Sequence, residues 1–168
     1  MSYRLNVITA VLFSAILVTS VSAKDPKDQG FSGKWVMDRN SSHGTEQIDD
    51  LRQNIKVHGS EMTIQSVFAE PKTAIAPLLY LGIMTSALKI STNGEETENQ
   101  IGPYVFLSKT TMDGNKMTTE WRSQINGDPV QGRWVRTLSD DGKQMTIEIT
   151  ENSTKDQKGD AKLVFNRK

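Results

Sequence analysis

The sequence predicts an all-β chain folded as a single antiparallel up-and-down barrel of about eight to ten strands. Three observations lead there. Short runs of alternating apolar and polar residues follow one another from Phe31 to the C-terminus. Turn-forming pairs such as Asn93-Gly94, Asp113-Gly114, Asn126-Gly127 and Asp140-Asp141-Gly142 separate these runs at hairpin spacing. No long crossover joins them, and closing the wall removes the edges that a flat Thr-rich sheet would expose. The expected departure is the stretch 73–88, read as a short helix or an apolar lid.

Length and composition fit this class. With 168 residues the chain has room for one domain. Lys and Arg number 20, as do Asp and Glu, so no basic field exists to gather nucleic acid. Cysteine is absent, which excludes disulfides, thiolate metal sites and a cysteine nucleophile. The fold must be held by burial and strand pairing alone.

Residues 1–23 read as a cleaved signal peptide. Arg4 supplies the positive end, Val7 to Val18 the apolar run, and Val21-Ser22-Ala23 the small-residue cleavage site. The apolar run is too short for a comfortable membrane span, which takes about 20 residues. No cysteine follows the site, so no lipid anchor is expected. The mature domain, 24–168, is then placed in the periplasm or secreted.

The first strand is Phe31-Ser-Gly-Lys-Trp35-Val-Met37. Its alternation puts Phe31, Gly33, Trp35 and Met37 on the core side. A short, weak helix from Thr45 to Leu51 follows, scarcely two turns long. Ile55 and Val57 face inward on the second strand. Met62, Ile64, Ser66 and Phe68 do so on the third. The next stretch breaks the pattern. From Thr73 to Leu88 no charge interrupts the text, and Leu78, Leu79, Tyr80, Leu81, Ile83 and Met84 crowd together. The simpler reading is buried core or a plug at one barrel end. The functional reading is a lid, a membrane-surface contact or a homodimer face.

From Lys89 onward the hairpins are plain. Tyr104 and Phe106 alternate with apolar Val105 and Leu107, which predicts burial on both faces. Met117, Thr119, Trp121 and Ser123 share a face. So do Val130, Gly132, Trp134, Arg136 and Leu138, and then Met145, Ile147 and Ile149. Glu151 to Asp160 reads as a polar loop, and the last strand as Ala161 to Arg167.

Phe31-Ser-Gly-Lys-Trp35, with Asp38 and Ser41-Ser42 after it, resembles the opening strand of the calycins, the group of lipocalins, fatty-acid-binding proteins and avidins. Trp134 with Leu138-Ser-Asp-Asp-Gly-Lys143 and Met145-Thr-Ile147 resembles small exported bacterial lipocalin-like proteins of unassigned function. The resemblance implies that Gly33 and Trp35 pack against a terminal-strand cation, here Arg167, as a structural plug. It also implies a lumen for a small apolar or amphipathic ligand. In fatty-acid-binding proteins an interior Arg receives the ligand carboxylate. The matching candidate is Arg136, with Tyr104 as a second donor and Phe106, Trp121 and Trp134 as lining. The lipocalin motifs of the later loops and the biotin-ring residues of avidins are missing, so no biotin site carries over.

Alternation alone does not fix which face of the Trp134 strand looks inward. The simpler expectation is that Trp134 and Arg136 face solvent. No catalytic set emerges. His43 and His58 are the only histidines and form no zinc spacing. Asp140 with Asp141, and Glu95, Glu96 and Glu98, sit in turn-rich polar text where solvated carboxylates are expected. Asn40-Ser-Ser42 and Asn152-Ser-Thr154 match the glycosylation sequon, which matters only in a eukaryotic host. The chain is thus expected to be a binding protein and not an enzyme, with no metal, cofactor or nucleic-acid partner. The alternative is a packed barrel without a cavity, acting through its surface as an interaction or inhibitor module on a protein or envelope partner.

Overall fold

Gly33–Met37 forms strand β1 and lies in the middle of the wall, between the second strand and the last. In the computed structural model, which describes residues 30–44, 48, 50–68, 87–153 and 158–168, ten strands make one antiparallel sheet. They are β1, β2 (Arg52–His58), β3 (Glu61–Val67), β4 (Leu88–Ser91), β5 (Asn93–Ile101), β6 (Tyr104–Asp113), β7 (Lys116–Ile125), β8 (Asp128–Leu138), β9 (Gln144–Ser153) and β10 (Lys158–Arg167). Their spatial order is β4-β3-β2-β1-β10-β9-β8-β7-β6-β5. Every sequence neighbour is a spatial neighbour, and the N-terminal strand pairs with the C-terminal one. This is the up-and-down barrel that the turn spacing predicts.

The turns follow from local chemistry. Asn126 and Gly127 have φ of 51° and 87°, the paired left-handed geometry that matches a two-residue turn to the twist of β7 and β8. Asn93-Gly94 behaves differently. It lies inside β5, where the register with β6 slips between Asn93 and Glu96, and so marks a bulge at the corner after β4.

The closed end is built on Trp35. Its indole is fully buried, and Nε1 donates to the Phe31 carbonyl at 2.9 Å. Arg167, its register partner on β10, lies over the ring with Cζ 4.3 Å from the centroid. The guanidinium donates to the carbonyls of Ser32 at 2.6 Å, Gly142 at 2.7 Å and Gly30. One side chain thereby ties β10 to the approach to β1 and to the β8–β9 turn. Gly33 makes room for it. A Cβ there would stand 2.6 Å from Arg167 Nη1, on a backbone with φ of 141°. The structure thus brings Gly33, Trp35 and Arg167 together at this end.

The barrel closes at the far side of the sheet, between β4 and β5, without a backbone ladder. Asn99 on β5 donates from Nδ2 to the Lys89 carbonyl at 2.7 Å and accepts the Lys89 amide on Oδ1 at 2.8 Å. Thr97 Oγ1 accepts the Ser91 amide at 2.9 Å. Side chains here imitate the missing strand partner.

Three expectations need correction. Val105 is 43 % exposed while Phe106 is buried, so β6 is buried on one face only. The polar loop expected from Glu151 is shorter, because β9 runs to Ser153 and β10 begins at Lys158. After β1 the chain makes a 3-10 turn over Arg39–Ser41, capped by Asp38. The helix expected from Thr45 to Leu51 is not formed at its described positions, Ile48, Asp50 and Leu51, where Asp50 has a φ of 54° and β2 begins at Arg52; residues 45–47 and 49 lie outside the described residues, as do residues 1–23. Leu78, Leu79, Tyr80, Leu81, Ile83 and Met84 also lie outside them.

Replacing Gly33 by Ala should destabilise the fold by about 1–3 kcal/mol, through the strained φ and the contact with Arg167. Urea denaturation of G33A, R167K and the double variant checks this. The two costs should be less than additive, because the shorter lysine head vacates the contested space. At the other side, Asn99→Ala should speed amide exchange at Lys89 while β1 and β10 stay protected, as read by NMR hydrogen exchange.

Candidate ligand site in the barrel interior

The interior of β6 to β10 is ordered in rows by the register. Nearest the Trp35 plug, Leu138, Met145 and Phe165 stand side by side. The next row holds Met117, Arg136, Ile147 and Leu163, and the one after it Thr119, Trp134, Ile149 and Ala161. Beyond them lie Ser108, Trp121, Gly132 and Glu151. The sheet thus carries two buried ionisable positions, Arg136 and Glu151, on a mostly apolar wall, with the Trp134 row between them.

Arg136 is 0 % exposed. The expectation that it faces solvent is overturned: Trp134, Arg136 and Leu138 all point inward, since β8 shares its register with the Met117 face of β7 and the Ile147 face of β9. Nε, Nη1 and Nη2 have no hydrogen-bond partner. The Trp134 ring is a neighbour, with Cζ 5.5 Å from its centroid. Burial pushes the Arg136 pKa down to about 10, so the group remains a cation at neutral pH. An interior cation without a counter-ion is costly, and native cores rarely retain one.

Phe106, Trp121 and Trp134 form one aromatic cluster. Phe106 stacks on Trp121 at 5.0 Å and on Trp134 at 5.4 Å between centroids, and the two indoles are 5.7 Å apart. The structure therefore brings Arg136, Trp134, Trp121 and Phe106 together. Tyr104 stands apart. It begins β6, eight residues from Met112, which shares the Arg136 row through Met117. Its hydroxyl lies 3.4 Å from Asn126 Oδ1 at the opposite end of the barrel. It cannot serve as the second donor beside Arg136.

Glu151 is the residue that the sequence reading missed. It is 3 % exposed, and neither carboxyl oxygen has a hydrogen-bond partner. Burial pushes its pKa up to about 8, a rise that the neighbouring Trp134 indole opposes only in part. At neutral pH it is an uncharged acid and does not neutralise Arg136. The signal was available: the inward series Met145, Ile147, Ile149 continues to position 151. The polar text that follows hid it.

An open cavity of about 560 Å³ lies on the outside of the wall, mostly between outward-facing positions that include Val105, Leu107, Arg122, Gln124, Pro129 and Gln131. His43 and His58 are both exposed and belong to different parts of the wall, His43 bridging to Lys162 and His58 ending β2.

The buried acid makes a pH signature. Glu151 ionises near 4.5 when unfolded and near 8 when folded. Between those values the folded chain holds the extra proton, so stability falls as pH rises across the window and levels off above it. Denaturation at about pH 5 and about pH 9 should show a loss of about 1–3 kcal/mol in the wild type from this group, and little of it in Glu151→Gln.

No family model matches the sequence, and no curated protein matches it. Solved structures do resemble the fold. One is fatty-acid-binding protein 1 of Echinococcus granulosus, at 10 % identity and a TM-score of 0.50, covering 83 % of this chain and 98 % of the other. Two are secretory abundant heat soluble proteins of Ramazzottius varieornatus. One of these is 14 % identical with a TM-score of 0.52; the other, numbered 4, is 12 % identical with a TM-score of 0.51. Each alignment covers 83 % of this chain and 96 % of the tardigrade protein. At such identities the likeness is one of fold, and the fold of this chain is a calycin-like β-barrel.

Proposed function

We propose that the chain is a binding protein whose barrel takes a small amphipathic anion, held by its charged head at Arg136 and by its apolar part along the Trp134 and Trp121 rows. The observation that carries this reading is the unpaired, fully buried guanidinium. With Glu151 protonated, the described interior holds a net positive charge at neutral pH, and an entering carboxylate would supply the missing partner. Apolar walls with few placed polar groups are the usual chemistry of such sites. The leader read from residues 1–23 supports a periplasmic or extracellular setting for this activity.

A second reading draws on the outer cavity. Val105 and Leu107 expose apolar surface beside Arg122, and the stacked aromatics occupy much of the interior. The barrel would then act through its outside on a protein or envelope partner.

One variant separates the two. Arg136→Met removes the cation while keeping an apolar chain of similar length. Stearic acid should bind the wild type and bind R136M at least about tenfold more weakly, since a charge-assisted bond is lost. The unliganded variant should be as stable as the wild type or more so, because an unpaired buried charge has gone. Calorimetric titration and urea denaturation read both outcomes. Equal stearate affinity in the two proteins, or none in either, would turn attention to the outer surface.

A further inference from the structure

We infer that the interior carries a second polar subsite, formed by Glu151, Trp121 and Ser108, that receives an oxygen-bearing group part-way along the ligand; the ligand class is a fatty-acid-like anion with a hydroxyl or carbonyl in its chain. This rests on the lumenal reading above and specifies its substrate.

The first ground is a shared deficit. Buried polar groups in native proteins nearly always have hydrogen-bond partners. Ser108 Oγ, Trp121 Nε1 and both oxygens of Glu151 have none, and neither has the Trp134 indole N–H of the adjacent row, which stands close enough to the Glu151 carboxyl to lower its pKa. Ser108, Trp121 and Glu151 are buried, at 2 %, 3 % and 3 % exposure. Three such groups scattered through a core would each need a separate explanation. Here they fall in one register row, Ser108 opposite Trp121, Trp121 opposite Gly132, and Gly132 opposite Glu151.

The second ground is Gly132. A Cβ at this position would lie 2.6 Å from Trp121 Cε2 and Cζ2 and 2.7 Å from Nε1. The indole therefore lies across the bare backbone of β8, with its N–H edge over the residue that pairs with Glu151. Any larger residue would push that edge away from the acid. The glycine is what lets the donor of β7 and the acid of β9 share one space.

The donors and acceptors define the guest. A protonated carboxyl both donates and accepts, a serine hydroxyl does the same, and an indole N–H donates. Such a trio suits a neutral oxygen, which accepts from the indole and exchanges hydrogen bonds with the acid. A second carboxylate is the poorer guest, because it would have to sit beside an acid that ionises near pH 8. Four residues of β8 separate Arg136 from Gly132, a span of about 13 Å along the strand. Trp134 lies between them with its inward ring. The ligand would then run from a charged head beside the plugged end, past one tryptophan, to an oxygen in the Glu151 row.

Calorimetric titration of the full chain with stearic acid and with a hydroxystearic acid bearing its hydroxyl near mid-chain tests this. The hydroxylated acid should bind about tenfold tighter to the wild type, the size of one or two well-made buried hydrogen bonds. In Trp121→Phe, which keeps the ring and loses the donor, and in Glu151→Met, that preference should shrink towards unity. Urea denaturation of both variants reports that they are folded, and the preference is read in each protein as the ratio of its two affinities. If stearate binds but the hydroxyl adds nothing, the row holds water alone, and this inference falls while the lumenal function stands. A preference that survives both substitutions overturns it equally. If neither acid binds the wild type, the lumenal reading fails and takes this one with it.

Discussion

The guanidinium of Arg167 over the face of Trp35 is the contact on which the barrel depends. A meander of ten strands has no intrinsic reason to close. Closure requires that the first and last strands find each other across a separation of over a hundred residues, at a considerable loss of chain entropy. β1 offers only five residues to that junction. The arginine adds what the short ladder lacks. It bonds three carbonyls, two from the residues leading into β1 and one from the distant β8–β9 turn, and it covers the indole that fills the end. A lysine in its place could not span those acceptors, since its donors radiate from one atom.

Closure then decides which face of every strand is interior. Once β10 is fixed beside β1, the inward positions of β9 and β8 follow by alternation, and Arg136 has no route to solvent. The interior cation is thus a consequence of the wall's register and not of any local preference of its own sequence. The same register sets Glu151 inside, two rows further from the plug. Both groups could have been leucines at no cost to the sheet. Among the described residues they are the two buried ionisable groups on the inward face of β6 to β10, and packing alone does not call for either.

The strand order and the turns were legible because they rest on short-range rules: alternation marks faces, and Asn-Gly and Asp-Gly mark hairpins. The plug of Gly33, Trp35 and Arg167 was legible only through the resemblance of the first strand to the calycins. What was illegible depends on closure in three dimensions. The facing of β8 could be inverted by a single slip, so Arg136 read as solvated. Val105 and Leu107 looked buried because their apolar character is explained by the outer cavity, which no one-dimensional pattern reveals. Glu151 was lost because a charged residue at the edge of polar text looks like a loop, although the inward series of β9 runs on to it and its pairing with Gly132 places it in the core. Tyr104 was joined to Arg136 by chemical type, while the strand between them holds them at opposite ends.

The seam between β4 and β5 has a mechanical consequence. The nine other junctions of the wall are backbone ladders, whose hydrogen bonds break in groups and re-form only in register. At the seam the fasteners are an amide and a hydroxyl on flexible side chains, and water can substitute for either of them one bond at a time. The circumference therefore has a single adjustable joint. The tube can widen or narrow there while its clamped end keeps its shape.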